Sequence, residues 1–181
     1  MYNLHILPYL CIVRLLPCYS VLVCCAKKGG IMLSQNERRA IIRLIHRQVV
    51  PAIGCTEPIA VALCAAKAKQ LLGREPEKIE VRLSANILKN AMGVGIPGTN
   101  MVGLPIAIAL GALIGDPDQQ LEVLQGCCAE AVEKGKRMIE EKRIDILLEE
   151  NDPDKLFINV CCKAANHQAE ARIKRAHTHF V

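Results

Sequence analysis

In Gly103-Leu104-Pro105-Ile106-Ala107-Ile108-Ala109-Leu110-Gly111-Ala112-Leu113-Ile114-Gly115, the stretch Leu104 to Ile114 reads as a short apolar helix. Gly103, Ala107, Gly111 and Gly115 fall four apart, so they form a smooth stripe on which a second helix can approach closely. The segment is too short to span about 30 Å of hydrocarbon. It is therefore expected to be buried in protein, and the elements around it must supply the cover.

Upstream, Ile41, Ile42, Leu44, Ile45 and Val49 recur at helical spacing between Glu37 and Val50, with Arg38, Arg39, Arg43 and Arg47 opposite. Ser34-Gln35-Asn36-Glu37 is a capping box for that helix, and Pro51 ends it. A second helix opens with Thr56 as its expected N-cap, runs through Ile59 to Leu72 and closes at Gly73. Ile79, Val81, Leu83 and Ala85 alternate with polar residues as in a half-buried strand. Downstream, the spacing predicts a long amphipathic helix over 119–142 and a strand at Ile144–Leu148. After the Asn151–Asp154 turn, a hairpin pairs Leu156–Lys163 with Ala169–Val181 around Asn166-His167. Helices, strand, helices and strands in that order make an α+β fold, with helices packed on a small mixed or antiparallel sheet. The last strand shows no stop signal, which leaves a sheet edge and an apolar helix in need of partners, so the chain reads as part of something larger.

Composition narrows the function. The chain has 181 residues, 3% aromatic with no Trp, which leaves little for nucleic-acid bases to stack on. The net charge of +5 sits at the ends: 1–31 and 163–181 each carry +3, whereas 32–162 has 16 basic and 17 acidic residues. A phosphate-holding domain would gather its excess on one face instead, so no nucleic-acid partner is expected. Ten cysteines occur as three adjacent pairs and four singles, with no C-x-x-C, a poor disulfide or metal framework. That points to reduced thiols and a cytoplasmic location.

Residues 1–31 differ from the rest. Leu4–Ala26 is apolar, but Pro8, Arg14 and Pro17 break it as a membrane anchor, and Lys27 and Lys28 follow the apolar run instead of preceding it as in a secretory signal. The remaining reading is that translation starts at Met32, since Lys28-Gly29-Gly30 is encodable by a ribosome-binding sequence. The expected organisation is thus a non-homologous extension over 1–31 and one domain over 32–181.

Two constellations carry chemistry. In Pro51-Ala52-Ile53-Gly54-Cys55-Thr56-Glu57-Pro58, Cys55 directly precedes a helix whose unpaired N–H groups favour a thiolate, the form that binds iron or attacks a substrate. Gly54 lets backbone approach a bulky group. The competing reading of Cys55 is a small buried hydrophobe, and packing is the reading for Cys64, Cys127-Cys128 and Cys161-Cys162. The second constellation is Ser84-Ala85-Asn86-Ile87-Leu88-Lys89-Asn90 with the loop Gly93-Val94-Gly95-Ile96-Pro97-Gly98-Thr99-Asn100. It is neither a Walker motif nor a dinucleotide fingerprint, so a nucleotide is not expected. Backbone N–H groups beside Asn86, Lys89, Asn90 and Thr99 suit a small carboxylate, against the plainer reading of structural turns. His177-Thr178-His179 on a strand would put two imidazoles on one face, but no Cys or carboxylate close in sequence completes a metal site.

Pro51-Ala52-Ile53-Gly54-Cys55-Thr56-Glu57-Pro58, Ser84-x-Asn86-x-x-Lys89-Asn90, Ile96-Pro97-Gly98-Thr99 and Gly103-Leu104-Pro105-Ile106 together resemble the L-cysteine desulfidase family, which is related to the alpha chain of iron–sulfur L-serine dehydratases. The resemblance runs in register from Met32 to Val181. It implies a lyase that converts L-cysteine to pyruvate, ammonia and sulfide, or L-serine to pyruvate and ammonia, with a [4Fe-4S] cluster and no pyridoxal phosphate. In such clusters three Cys bind three irons and the fourth iron stays open as a Lewis acid.

Cys55 matches the family's first cluster cysteine. The other two ligands come from a C-terminal half absent here, and Cys64, Cys127, Cys128, Cys161 and Cys162 lie in no matching motif. Asn86, Asn90, Gly98, Thr99 and Glu57 are the expected substrate-binding residues, and Lys89 the expected proton acceptor or carboxylate-binding cation. The chain alone is expected to be inactive, as a truncated product or as half of a split enzyme whose partner is a separately encoded C-terminal half. The alternative is a non-catalytic amino-acid-binding or regulatory module on the same scaffold. No membrane partner is expected.

Overall fold

The structure, a computed structural model, describes residues 33–181. The proposed extension over 1–31 and the Met32 start lie outside the described residues. The described chain forms two bodies, 33–48 and 49–181.

The first body is helix α1 (Gln35–Gln48). Its start is the expected capping box: the Ser34 backbone N–H donates to Glu37 Oε2 at 2.8 Å, and the Glu37 N–H donates to Ser34 Oγ at 3.2 Å. Two orphan donors are satisfied reciprocally.

The second body is built around α2 (Thr56–Leu72), whose residues Pro58–Ala66 are all buried. A helix apolar on every side must be enclosed on every side. It closes at Gly73, whose φ of 73° is the left-handed C-cap that glycine adopts without strain. Next come β1 (Lys78–Leu83), the short α3 (Ala85–Ala91), and a minimal hairpin, β2 (Gly95–Ile96) and β3 (Met101–Val102). Helix α4 (Leu104–Ile114) follows, buried over Ile106–Ala112 and packed on α2. The small-residue stripe is the contact: a Cβ on Gly115 would stand 2.7 Å from Ala66 Cβ.

A 3-10 turn (Pro117–Glu122) and α5 (Ala129–Glu140) replace the long helix expected over 119–142. The break is backbone geometry. Gln120 takes φ 49° and ψ −122°, which no α-helix accommodates, and 123–128 are turn and coil. Cys127 and Cys128 therefore lie outside any regular element, with Cys128 exposed as the N-cap of α5.

Strands β4 (Ile144–Leu148), β5 (Phe157–Ala164) and β6 (His167–Lys174) join β1 in one mixed sheet of order β4-β1-β5-β6. β4 is parallel to β1, with Val81 opposite Ile146; β5 is antiparallel to β1 and to β6. Strand alternation divides the faces. Ile79, Val81, Leu83, Ile158, Val160 and Ile173 are buried towards α2, whereas Glu80, Arg82, Lys163 and Arg172 form ion pairs on the other face. This is the α+β class, helices on a small mixed sheet. Within it, β6 stops at Lys174 instead of running to Val181. Arg175 turns at φ 68°, and the chain folds back so that Phe180 bridges Ile173.

Candidate functional site

Cys55, not Thr56, is the N-cap of α2, in extended conformation at φ −70° and ψ 133°. Its position is set from both sides. The Ile53 N–H donates to the Leu121 carbonyl at 3.0 Å, and Gly54 turns at φ 81° against the hairpin, where a Cβ would sit 2.9 Å from Pro97 Cγ. Any larger residue at position 54 would push the turn off Pro97.

The electrostatics differ from the expected thiolate. The half-buried Cys55 thiol donates to Glu57 Oε2 at 3.0 Å, and the Thr56 hydroxyl donates to the same oxygen at 3.2 Å. Burial, and then the Glu57 carboxylate, push the Cys55 thiol above its ordinary range. Glu57 moves the opposite way, held low first by the Cys55 hydrogen bond. A carboxylate that accepts from a neutral thiol opposes a second negative charge beside it, and here this outweighs the helix terminus.

The glycine loop is the β2–β3 hairpin. Thr99, which is buried, organises its turn: the hydroxyl donates to Ile96 O at 2.7 Å and accepts from Met101 N–H at 2.9 Å. Gly103 N–H returns to Val94 O at 2.8 Å. The turn thus spends the N–H groups of Thr99, Met101 and Gly103 on itself. Gly98, exposed at φ 79°, lies beside Cys127, whose Sγ stands 4.0 Å from the Gly98 carbonyl oxygen. Cys127 is pushed up by burial. The Pro97-Gly98 turn therefore has Gly54 beside Pro97 and Cys127 beside Gly98.

Asn86, Lys89 and Asn90 are exposed on α3. Asn86 lines a cavity of about 530 Å³ whose wall includes Glu149, Glu150, Asp152 and Asp154. Asp152 is neutralised by Lys174 and held low by it. Asn86 is thus grouped with an acidic wall.

His177 and His179 do not act as a strand pair, because both follow the turn at Arg175. His179 Nδ1 lies 3.1 Å from the Lys174 carbonyl, and His177 is near enough to Glu57 for its charge to favour that carboxylate. Cys64, buried, donates to Ala171 O at 3.2 Å, and burial drives its thiol far above the ordinary range.

Among the described residues no three His, Cys, Asp or Glu side chains converge as a metal-binding group. Cys55 offers one sulfur. One thiol does not hold a four-iron cluster, so the described residues by themselves do not fit that cofactor. Among them, also, no helix is long and apolar enough to cross a membrane.

No protein-family model and no solved structure matches the chain. Curated relatives do. A UPF0597 protein of Bacteroides fragilis is 64% identical over 149 residues, which is 82% of this chain and 35% of the relative. One of Bacteroides thetaiotaomicron is 65% identical over 147 residues, 81% of this chain and 34% of the relative. One of Oleidesulfovibrio alaskensis is 48% identical over 140 residues, 77% and 32%. The chain spans about a third of the length of these relatives, and their names state no substrate or reaction. Over most of its length, this chain is a high-identity homologue of proteins named UPF0597.

Proposed function

We propose that this chain contributes one cysteine ligand and a substrate-holding surface to an iron–sulfur lyase that degrades L-cysteine, or L-serine, to pyruvate and ammonia. The observation that supports this reading is the built environment of Cys55: a thiol at the mouth of a buried helix, fixed by Glu57 and clamped through Gly54 onto Pro97. A cysteine that served only as packing would need neither the glycine turn nor a carboxylate partner.

In this reading Cys55 supplies one thiolate, and the remaining ligands come from outside these 181 residues, in a separately encoded half or the longer form of the protein. Glu57 holds the Cys55 sulfur in position. Lys89, Asn90 and the Gly98 side of the hairpin turn take the substrate carboxylate, Lys89 as its cation or as the acceptor of the Cα proton, whereas Asn86 faces an acidic wall. Thr99 contributes by fixing the turn. The chain alone has no turnover.

A chimera tests this. Residues 33–181 replace the matching segment of the Bacteroides thetaiotaomicron relative, and the product is reconstituted anaerobically with iron and sulfide. Visible charge-transfer absorbance and sulfide release from L-cysteine are expected, and Cys55→Ser should lose both. Full absorbance in Cys55→Ser refutes the ligand assignment, and unchanged turnover in Lys89→Met removes Lys89 from the mechanism.

A further inference from the structure

A second cleft, of about 260 Å³, lies between α2, the 3-10 turn and the C-terminal segment. Its wall is formed by Leu63 and Lys67, Asp118 and Gln120, and Thr178 and Phe180. We infer that this cleft binds a small α-amino acid with an apolar side chain, at a site separate from Cys55.

The charges argue for a zwitterion. Lys67 and Asp118 both line the cleft, yet among the described residues neither enters an ion pair, with the other or with any third group. Lys67 Nζ donates instead to Gln70 Oε1 at 2.7 Å, which leaves its positive charge uncompensated. An ammonium and a carboxylate that share one cleft without meeting are complementary to a ligand carrying both charges: its carboxylate to Lys67, its ammonium to Asp118. Pro117 and Phe180 supply apolar wall for the side chain, and the Thr178 hydroxyl a further polar contact. The volume falls below the ~300–1,000 Å³ of pockets for larger ligands, which excludes a nucleotide-sized molecule.

The wall is also strained. Gln120 sits at φ 49° and ψ −122°, a conformation that is costly for a non-glycine residue and persists where the surroundings enforce it, commonly at ligand clamps. The surroundings do enforce it: the next residue, Leu121, is buried and accepts the Ile53 N–H.

The inference does not depend on the lyase reading. The test is an NMR titration of the whole isotope-labelled chain with L-leucine. Saturable shifts are expected at the amides of Lys67, Thr178 and Phe180, with a Kd on the order of 1 mM. 3-Methylbutylamine, which lacks the carboxylate, and 4-methylpentanoate, which lacks the ammonium, should each bind at least about tenfold more weakly. Lys67→Met and Asp118→Asn should lose a similar factor, and Gly126→Ala, outside the cleft, should bind as the parent does. Absence of saturable shifts, shifts confined to other residues, or equal binding of all three ligands overturns the site; the ligand series decides this even if a variant fails to fold.

Discussion

The Cys55 thiol donates to the Glu57 carboxylate across 3.0 Å; burial first and that carboxylate second push the thiol upward, and the same hydrogen bond holds the carboxylic acid low. The folded protein therefore keeps Cys55 neutral at physiological pH, although the sulfur is only half-buried. Removal of the negative charge should release it. Glu57→Gln is expected to speed alkylation of Cys55 by iodoacetamide severalfold at mildly alkaline pH, since the thiolate is the nucleophile. Exposed Cys128 serves as the internal reference by mass spectrometry. Equal Cys55 rates in parent and variant would mean that burial alone sets the thiol.

Gly111 permits the crossing of the two central helices. A Cβ there would overlap the Ala62 carbonyl and stand 2.9 Å from Ala62 Cα, and backbone cannot yield as a flexible side chain can. Gly111→Ala is expected to cost about 3 kcal/mol in urea unfolding, the upper end of ordinary overpacking. Gly126→Ala, with nothing within 4 Å of the added methyl, should change stability by less than about 1 kcal/mol. Similar losses in both would mean that the cost of the added methyl is not specific to the helix crossing.

That crossing was legible because its signal is local and periodic. The four-residue spacing from Gly103 to Gly115, the capping box at Ser34-Glu37 and the alternation around Val81 each specify an element without reference to distant chain. The failures lie where one backbone angle or one distant contact decides. Leu121, Val123 and Leu124 are buried, as an amphipathic helix would bury them, but they reach the core from turns because Gln120 leaves helical space. No side-chain pattern reports that angle. The C-terminal alternation similarly hides the turn at Arg175, and with it the return of Phe180 onto Ile173. At the site, the residues around Cys55 were visible as a motif, but the sign of the thiol shift was not. It depends on how far the fold buries the sulfur and on which way the Glu57 side chain turns.

Gln120 makes a separate prediction about stability. Its φ of 49° with ψ −122° is open to glycine without penalty. Gln120→Gly relieves about 1–3 kcal/mol of strain and adds about 0.5–1 kcal/mol of unfolded-state entropy, so a net gain of about 1 kcal/mol is expected in urea unfolding. Gln120→Ala keeps the Cβ and should show no such gain. A glycine variant that is less stable than the parent would mean that the side chain, and not the turn, holds the segment.

The sheet's polar face should register in the acid limb of stability. Glu80 accepts from Arg82 and from Lys163 on the neighbouring strand at 3.3 Å, and these two, Arg82 first, hold its carboxyl below the ordinary value of 4.5. A group with a depressed folded pKa binds its proton more tightly in the unfolded chain. Its stabilisation is complete above the unfolded value and disappears as pH falls through the folded one. Glu80→Gln should therefore be less stable than the parent at pH 7, and the gap should close as pH drops from about 5 towards 3. Thermal or urea unfolding of both proteins across that range measures it. A gap that is constant with pH would mean that Glu80 acts through packing or hydrogen bonding to neutral groups, and that its two cations contribute nothing.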